Sequence, residues 1–290
     1  MTPDIRRQLQ ALGPDLTPDM MRSTQAIFAE AMTAPDPSVR IERDIAYGDD
    51  ERHRLDIFRK DDTADAPVLV FVHGGGFVMG DKRAPGQPFY DNIGSFAAAA
   101  GMVGVTMNYR LAPANGWPAG PEDLGKAVGW LRSHIARYGG NPNRIYIMGQ
   151  SAGAVHVASY VAHRQFHAAE GGGIAGALMI SCIYDVAAAD ANPFHRAYYG
   201  EDETAYPAAS TQDGLIASDI PLLMSVSEFD IADFQKQAAV LVGAWGEVKG
   251  AYPHMLWLHG HNHLSPVLAI GTPADALGPQ ILSFIAATTF

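Results

Sequence analysis

Ser151 stands in Gly149-Gln-Ser-Ala-Gly153, a G-x-S-x-G pentapeptide. The apolar run Ile145 to Met148 precedes it, and Ala154, Val157, Ala158 and Val161 follow at helical spacing. Strand, tight turn and helix are the context in which a serine is forced outward as a nucleophile, with small neighbours that let strand and helix approach. Such a serine needs a base, an acid that orients the base, and donors for a developing oxyanion. Val72-His-Gly-Gly-Gly-Phe77 follows another apolar run, and its glycines leave backbone N–H groups free to face an anion. The pattern matches a glycine loop that donates to an oxyanion together with the N–H after the nucleophile, here Ala152. For the acid, Ser225 to Asp233 offers Glu228, Asp230 and Asp233. Asp230 is preferred, Glu228 comes second, and Asp233 suits a helix N-cap. For the base, His259-Gly-His-Asn-His263 offers three histidines, with His263 preferred and His261 next.

The elements that must position these residues follow from periodicity. Residues 1–37 read as two short helices, one with Ile5, Leu9, Leu12 and Leu16 on a face, the other with Met21, Thr24, Phe28 and Met32. Val39 to Tyr47 and His53 to Arg59 suit a hairpin. Val68-Leu-Val-Phe-Val72 is continuously apolar, as a strand buried on both faces should be. Further strands are expected at Met102–Met107, Ile145–Met148, Ala177–Ile183, Pro221–Val226 and His254–Leu258, with helices between them. This βα order predicts an α/β, mostly parallel, doubly wound eight-stranded sheet with its chemistry at the strands' C-terminal ends. A long stretch between Ile183 and Pro221 has little strand character and reads as an insertion over the site.

Composition narrows the function classes. The net charge is −11, which disfavours a nucleic-acid backbone or an anionic membrane as partner. Met1-Thr-Pro-Asp-Ile-Arg6 lacks a basic region followed by an apolar core, and no run reaches the ~20 apolar residues of a membrane span. A cytoplasmic setting is expected. The single cysteine, Cys182, lies in an apolar run and reads as a core thiol. His259, His261 and His263 alternate as metal ligands could, but Gly260 and the need for a base favour a turn there. His163 and His167 read as a solvated helix face. No metal or cofactor is expected.

Four motifs in order carry a resemblance: His73-Gly-Gly-Gly76, Asn108-Tyr-Arg-Leu-Ala-Pro113, Gly139-Gly-Asn-Pro-Asn-Arg-Ile145 and Gly149-Gln-Ser-Ala-Gly153. Together they resemble the α/β-hydrolase superfamily, specifically its hormone-sensitive-lipase-like esterases. The resemblance implies Ser151 as nucleophile, Asp230 as acid and His263 as base, with Gly75, Gly76 and Ala152 as oxyanion amides. It also implies a helical cap from residues 1–37 and the insertion 186–215, over a core of 38–185 and 216–290. The chain departs from the family at Gln150, where an Asp is usual, and at Asp230-Ile-Ala-Asp233. His263-Leu-Ser265 looks closer to the arylformamidase and feruloyl-esterase-like relatives.

The expected function is a serine carboxylesterase for small acyl or aromatic esters. The alternatives are an arylformamidase-type amide hydrolase and a non-catalytic receptor, as the gibberellin receptors resemble these esterases. Phe77, Trp117, Tyr184 and Tyr198 are the expected substrate-pocket residues, within a wider aromatic set that includes Tyr90, Phe194 and Tyr199. A homodimer through an edge strand is a further expectation.

Overall fold

The structure, a computed structural model, describes residues 1–288. The expected core segment runs to residue 290, and its last two residues lie outside the described part. Eight strands form one sheet: β1 Arg40–Ala46, β2 Arg54–Arg59, β3 Ala66–Val72, β4 Val103–Met107, β5 Gly140–Gln150, β6 Gly176–Ile180, β7 Leu222–Phe229 and β8 Met255–Asn262. Their order is β1-β2-β4-β3-β5-β6-β7-β8. β2 pairs antiparallel with β1 and β4, and every later pairing is parallel.

The central strands are apolar on both faces because helices cover both. Val68, Val70 and Val72 of β3 join Ile145, Ile147, Ala177 and Met179 in one core layer. The alternate residues Leu69, Phe71, Tyr146, Met148, Leu178 and Ile180 enter the other. This is the period-two alternation of a strand read on two buried faces. Helices α4 (Ala119–His134), α5 (Ala152–Ala162) and α9 (Ala232–Lys249) supply the first layer through Leu124, Val157 and Leu241. Helices α3 (Asp91–Ala99) and α11 (Gly278–Ala287) supply the second through Ile93, Ala97, Ile281 and Phe284.

The first two helices, α1 (Pro3–Leu12) and α2 (Pro18–Ala31), pack on the second layer. Thr2 and Thr17 cap them by accepting from Ile5 and Met20 amides, each with a proline in the first turn. Leu16 was expected on the face of the first helix, but α1 stops at Leu12 and the Gly13-Pro14 break leaves Leu16 in the connection. The buried face of α2 is Met20, Thr24 and Phe28, so Met21 is turned off it. Between β6 and β7 lie the short helices α6 (Pro193–Tyr199), α7 (Tyr206–Ala209) and α8 (Gln212–Ala217). The short helix α10 (Ser265–Leu268) follows β8. β8 runs further than its apolar residues suggested, so His259 and His261 sit on the strand and only His263 lies beyond it.

Candidate active site

Ser151 occupies the turn between β5 and α5 with φ 54° and ψ −123°, a conformation that costs a non-glycine residue energy. Packing holds it there. A Cβ on Gly149 would strike the Gly153 carbonyl oxygen, and one on Gly153 would strike that of Val72. The Ser151 amide donates to Ile180 O of β6 at 3.0 Å. The strand, turn and helix are thereby locked with the hydroxyl facing out of the sheet.

His263 Nε2 lies 2.8 Å from Ser151 Oγ, and its Nδ1 lies 2.7 Å from Asp230 Oδ1. Both His263 and Asp230 are fully buried. Asp230 follows β7, and its Oδ2 accepts from the Ser181 hydroxyl at 2.5 Å and the Ser227 amide at 3.2 Å. Burial by itself would raise the Asp230 pKa. The charge and hydrogen bond of His263, with the Ser181 and Ser227 donors, outweigh that and hold the carboxyl below its usual range. Ser181 and Ser227 escaped the sequence reading. Their only sign was a serine at the C-terminal end of an apolar strand.

The residues passed over have other partners. Glu228 accepts from Arg6 at 2.7 Å and from the Gly260 amide at 2.7 Å, and it meets His259 Nδ1 at 2.9 Å. Asp233 does not cap α9: Ile231 is the N-cap, and Asp233 Oδ2 accepts from the Asp190 amide at 3.0 Å. His261 is buried against Ser265 Oγ at 2.9 Å, and burial lowers its pKa to about 4. The three neighbouring histidines thus point to Glu228, Ser265 and Asp230, and do not converge. Among the described residues no three His, Cys, Asp or Glu groups are arranged to hold a metal ion.

The glycine loop stands over Ser151. Gly75 and Gly76 have φ of 126° and 57°, and a Cβ on Gly75 would strike the Met79 carbonyl. Among the described residues no backbone oxygen accepts from the amides of Gly75, Gly76 or Ala152. Ala152 opens α5, where the first amides have no partner inside the helix. His73, stacked on Tyr109 at 4.4 Å with Nδ1 on Gly74 O at 2.7 Å, anchors the loop from below. Gln150 is buried, and its Nε2 donates to His263 O at 2.9 Å. A side chain on Gly74 would strike its Oε1. Gln150 therefore lies between the glycine loop and the histidine turn.

Ser151 and His263 open into a cavity of about 480 Å³. Phe77 lines it, together with Tyr90, Phe194, Tyr199 and Phe234. Trp117, Tyr184 and Tyr198 do not. Tyr198 is buried behind Phe77, stacked on it at 4.4 Å, and its hydroxyl accepts from the Gly120 amide. Tyr184 is buried, with its own amide on Gln237, and Trp117 packs on the Val186, Tyr206 and Ala209 cluster. A second cleft, of about 770 Å³, lies near Arg164, Glu170 and Asp219; of the Ser218 and His167 side chains that line it, the first accepts from the Ile220 amide and the second lies 3.3 Å from Val161 O.

Known proteins resemble this chain in sequence and in fold. The BD-FAE family model matches residues 55–175, from β2 to just before β6. The probable carboxylic ester hydrolase LipM of Mycobacterium tuberculosis is 36% identical over 169 residues, covering 52% of this chain and 38% of LipM. The chain thus matches well under half the length of that relative. Esterase B from Lactobacillus Rhamnosis superposes with a TM-score of 0.75 at 15% identity, covering 99% of this chain and 96% of that one. A hyperthermophilic esterase from Pyrobaculum calidifontis superposes with a TM-score of 0.73 at 20% identity, covering 100% and 99%. The sheet and its elbow have the α/β-hydrolase fold of these solved esterases, and over the matched segment the chain is similar to the BD-FAE family model and to curated ester hydrolases.

Proposed function

We propose that the protein is a serine carboxylesterase acting on small acyl or aromatic esters. The observation that carries this reading is the continuous hydrogen-bonded line from Ser151 through His263 to Asp230, beside three amides from which no backbone oxygen among the described residues accepts. Ser151 Oγ attacks the ester carbonyl as His263 Nε2 takes its proton. Asp230 holds Nδ1–H, which fixes the tautomer and stabilises the imidazolium. The amides of Gly75, Gly76 and Ala152 receive the oxyanion. His263 returns the proton to the departing alcohol, and water then releases the acid by the same steps in reverse. The chemistry asks for no cofactor. The esterase names of relatives matched in sequence support the same reaction class.

In this reading residues 1–37 and 186–215 act as a cap over a core of 38–185 and 216–290. Leu16, Met21 and Gln25 from the first segment and Phe194, His195 and Tyr199 from the second wall the cavity. Among the described residues no lysine or arginine lines it, whereas Asp190 and Asp233 do. Neutral esters are the expected substrates, and a carboxylate on the substrate would meet only like charge. A panel of aryl esters of matched length tests this, with N-formyl anilides as the amide comparison. Neutral short-chain and aromatic esters should give the highest kcat/KM, at least tenfold above their carboxylate-bearing counterparts. Preference for the carboxylate esters or for the anilides would reject the assignment.

The edge strand β8 exposes Trp257, and Val240, Val248 and Tyr252 are exposed on or after α9. We read this edge as the place for a second copy, which sedimentation velocity would count. A cytoplasmic setting completes the reading: the one cysteine, Cys182, is buried as a thiol, so the fold draws on no intrachain disulfide. Cell fractionation tests it.

A further inference from the structure

Helix α2 has two working faces. Met21 and Gln25, four apart, line the substrate cavity. Met20, Thr24 and Phe28, also four apart, are buried on the adjacent face. From that buried face the Thr24 hydroxyl accepts from Asn262 Nδ2 at 2.8 Å. Thr24 and Asn262 are both wholly buried. Asn262 immediately precedes His263, and its Oδ1 accepts from the amides of Leu264 at 3.2 Å and Ser265 at 3.0 Å. The side chain therefore wraps the turn that carries the base. Its orientation follows from its neighbours. Two amide donors face the oxygen, while the Thr24 hydroxyl and the Met20 sulfur, 3.6 Å away, face the nitrogen.

We infer that Thr24 and Asn262 are positioning residues: through their buried hydrogen bond, helix α2 sets the turn that places His263 against Ser151, and so ties the cavity wall to the base. The inference rests on the esterase reading. Neither residue touches substrate. If α2 moves away from the cavity, Thr24 releases Asn262, and the histidine turn loses its outer support. A small misplacement of a general base is costly to the chemical step, while substrate binding by the other walls persists. The effect should therefore fall on kcat and leave KM nearly unchanged.

The test uses Thr24→Val, Thr24→Ser and Phe28→Leu beside the wild type. Each is titrated to completion with a p-nitrophenyl phosphonate, so that turnover is counted per reactive Ser151. Thr24→Val should lose about tenfold or more in kcat per titrated site on p-nitrophenyl butyrate, with KM within about twofold. Thr24→Ser, which restores the hydroxyl, should return to within about threefold of wild type. Phe28→Leu loosens the same helix without touching Asn262, so it should lower Tm and keep kcat. Should Thr24→Val not accumulate as folded protein, Thr24→Ala removes the same hydroxyl and carries the same expectation. If the Thr24 variants lose Tm as Phe28→Leu does yet turn over at the wild-type rate per site, the bond is only structural and the inference is overturned. A wild type that neither hydrolyses the ester nor takes up phosphonate would instead bring down the esterase reading itself.

Discussion

Asp230 illustrates how much one carboxylate is asked to do. It is wholly buried, yet it is held ionised by His263, Ser181 and Ser227. Those partners also decide its orientation, with Oδ1 on the imidazole and Oδ2 on the serine. In the proposed mechanism its task is to keep the proton on Nδ1 so that Nε2 can accept. Asp230→Asn keeps the size and offers an amide in place of an acceptor pair, which favours the wrong tautomer. Turnover should drop by roughly 10³- to 10⁴-fold while KM changes little. Steady-state kinetics at pH 7 read this directly, and a loss below tenfold would remove Asp230 from the role. At this scale the sequence left real choices. Three acids and three histidines were within reach of the chemistry, and spacing alone could not choose among them. The selection is made by partners distant in sequence: Arg6 occupies Glu228, the Asp190 amide occupies Asp233, and Ser265 occupies His261. The aromatic residues were less legible still. Phe194 and Tyr198 lie on one short helix, but Phe194 faces the cavity and Tyr198 packs behind Phe77. Which side of α6 meets the cavity depends on how the segment is laid over the sheet, and no local pattern carries that.

The elbow joining β5 to α5 works as an element because strand, helix and glycine loop touch through backbone atoms. Gly153 lies against the carbonyls of Val72 and His73, the residues that lead into the glycine loop. Gly153→Val would drive a branched side chain into those carbonyls and push the helix away from β3. Stability should fall by about 3 kcal/mol or more, in line with overpacking at an unyielding contact, and esterase activity should fall with it. Urea unfolding of the purified variant checks the first part; an unchanged midpoint would mean that helix and loop are not in contact as described. Elements of this kind were plain in the sequence. The central strands announce themselves by apolar runs without alternation, and the glycines mark where chains approach. Boundaries set by tertiary contact were not plain. β5 begins at Gly140 although its apolar run begins at Ile145, and β8 continues through His261 and Asn262, polar residues that the N-terminal helices cover.

The whole molecule stores several histidines in neutral form. Burial lowers the pKa of His73 to about 4 and that of His156 to about 3, with His261 at about 4 as well. The direction of the resulting pH dependence is set by the unfolded chain, where histidine titrates near 6.5. Above that value neither state binds the protons. Below it the unfolded chain takes up protons that the native structure refuses, so stability falls as pH drops from about 6.5 toward the folded values of about 4 and 3. Each histidine contributes up to about 1.4 kcal/mol per pH unit in that window. Urea unfolding at pH 7 and pH 5 should therefore differ by several kcal/mol, and equal stabilities would show that these imidazoles are not held neutral. Asp230, with its depressed pKa, acts in the same direction at still lower pH, since its stabilisation is lost as the carboxylate protonates.

Ser151 is the residue on which the proposed reaction most directly depends. Hydrolysis of p-nitrophenyl butyrate by the wild type and by Ser151→Ala, under identical conditions, tests it in one measurement. The hydrogen-bonded line from Ser151 to Asp230 predicts a burst of nitrophenol equal to the enzyme concentration in the wild type, and a loss of at least about 10³-fold in turnover without a burst in the variant. Turnover by Ser151→Ala close to that of the wild type would contradict the account, because it would mean that ester cleavage proceeds elsewhere on the molecule.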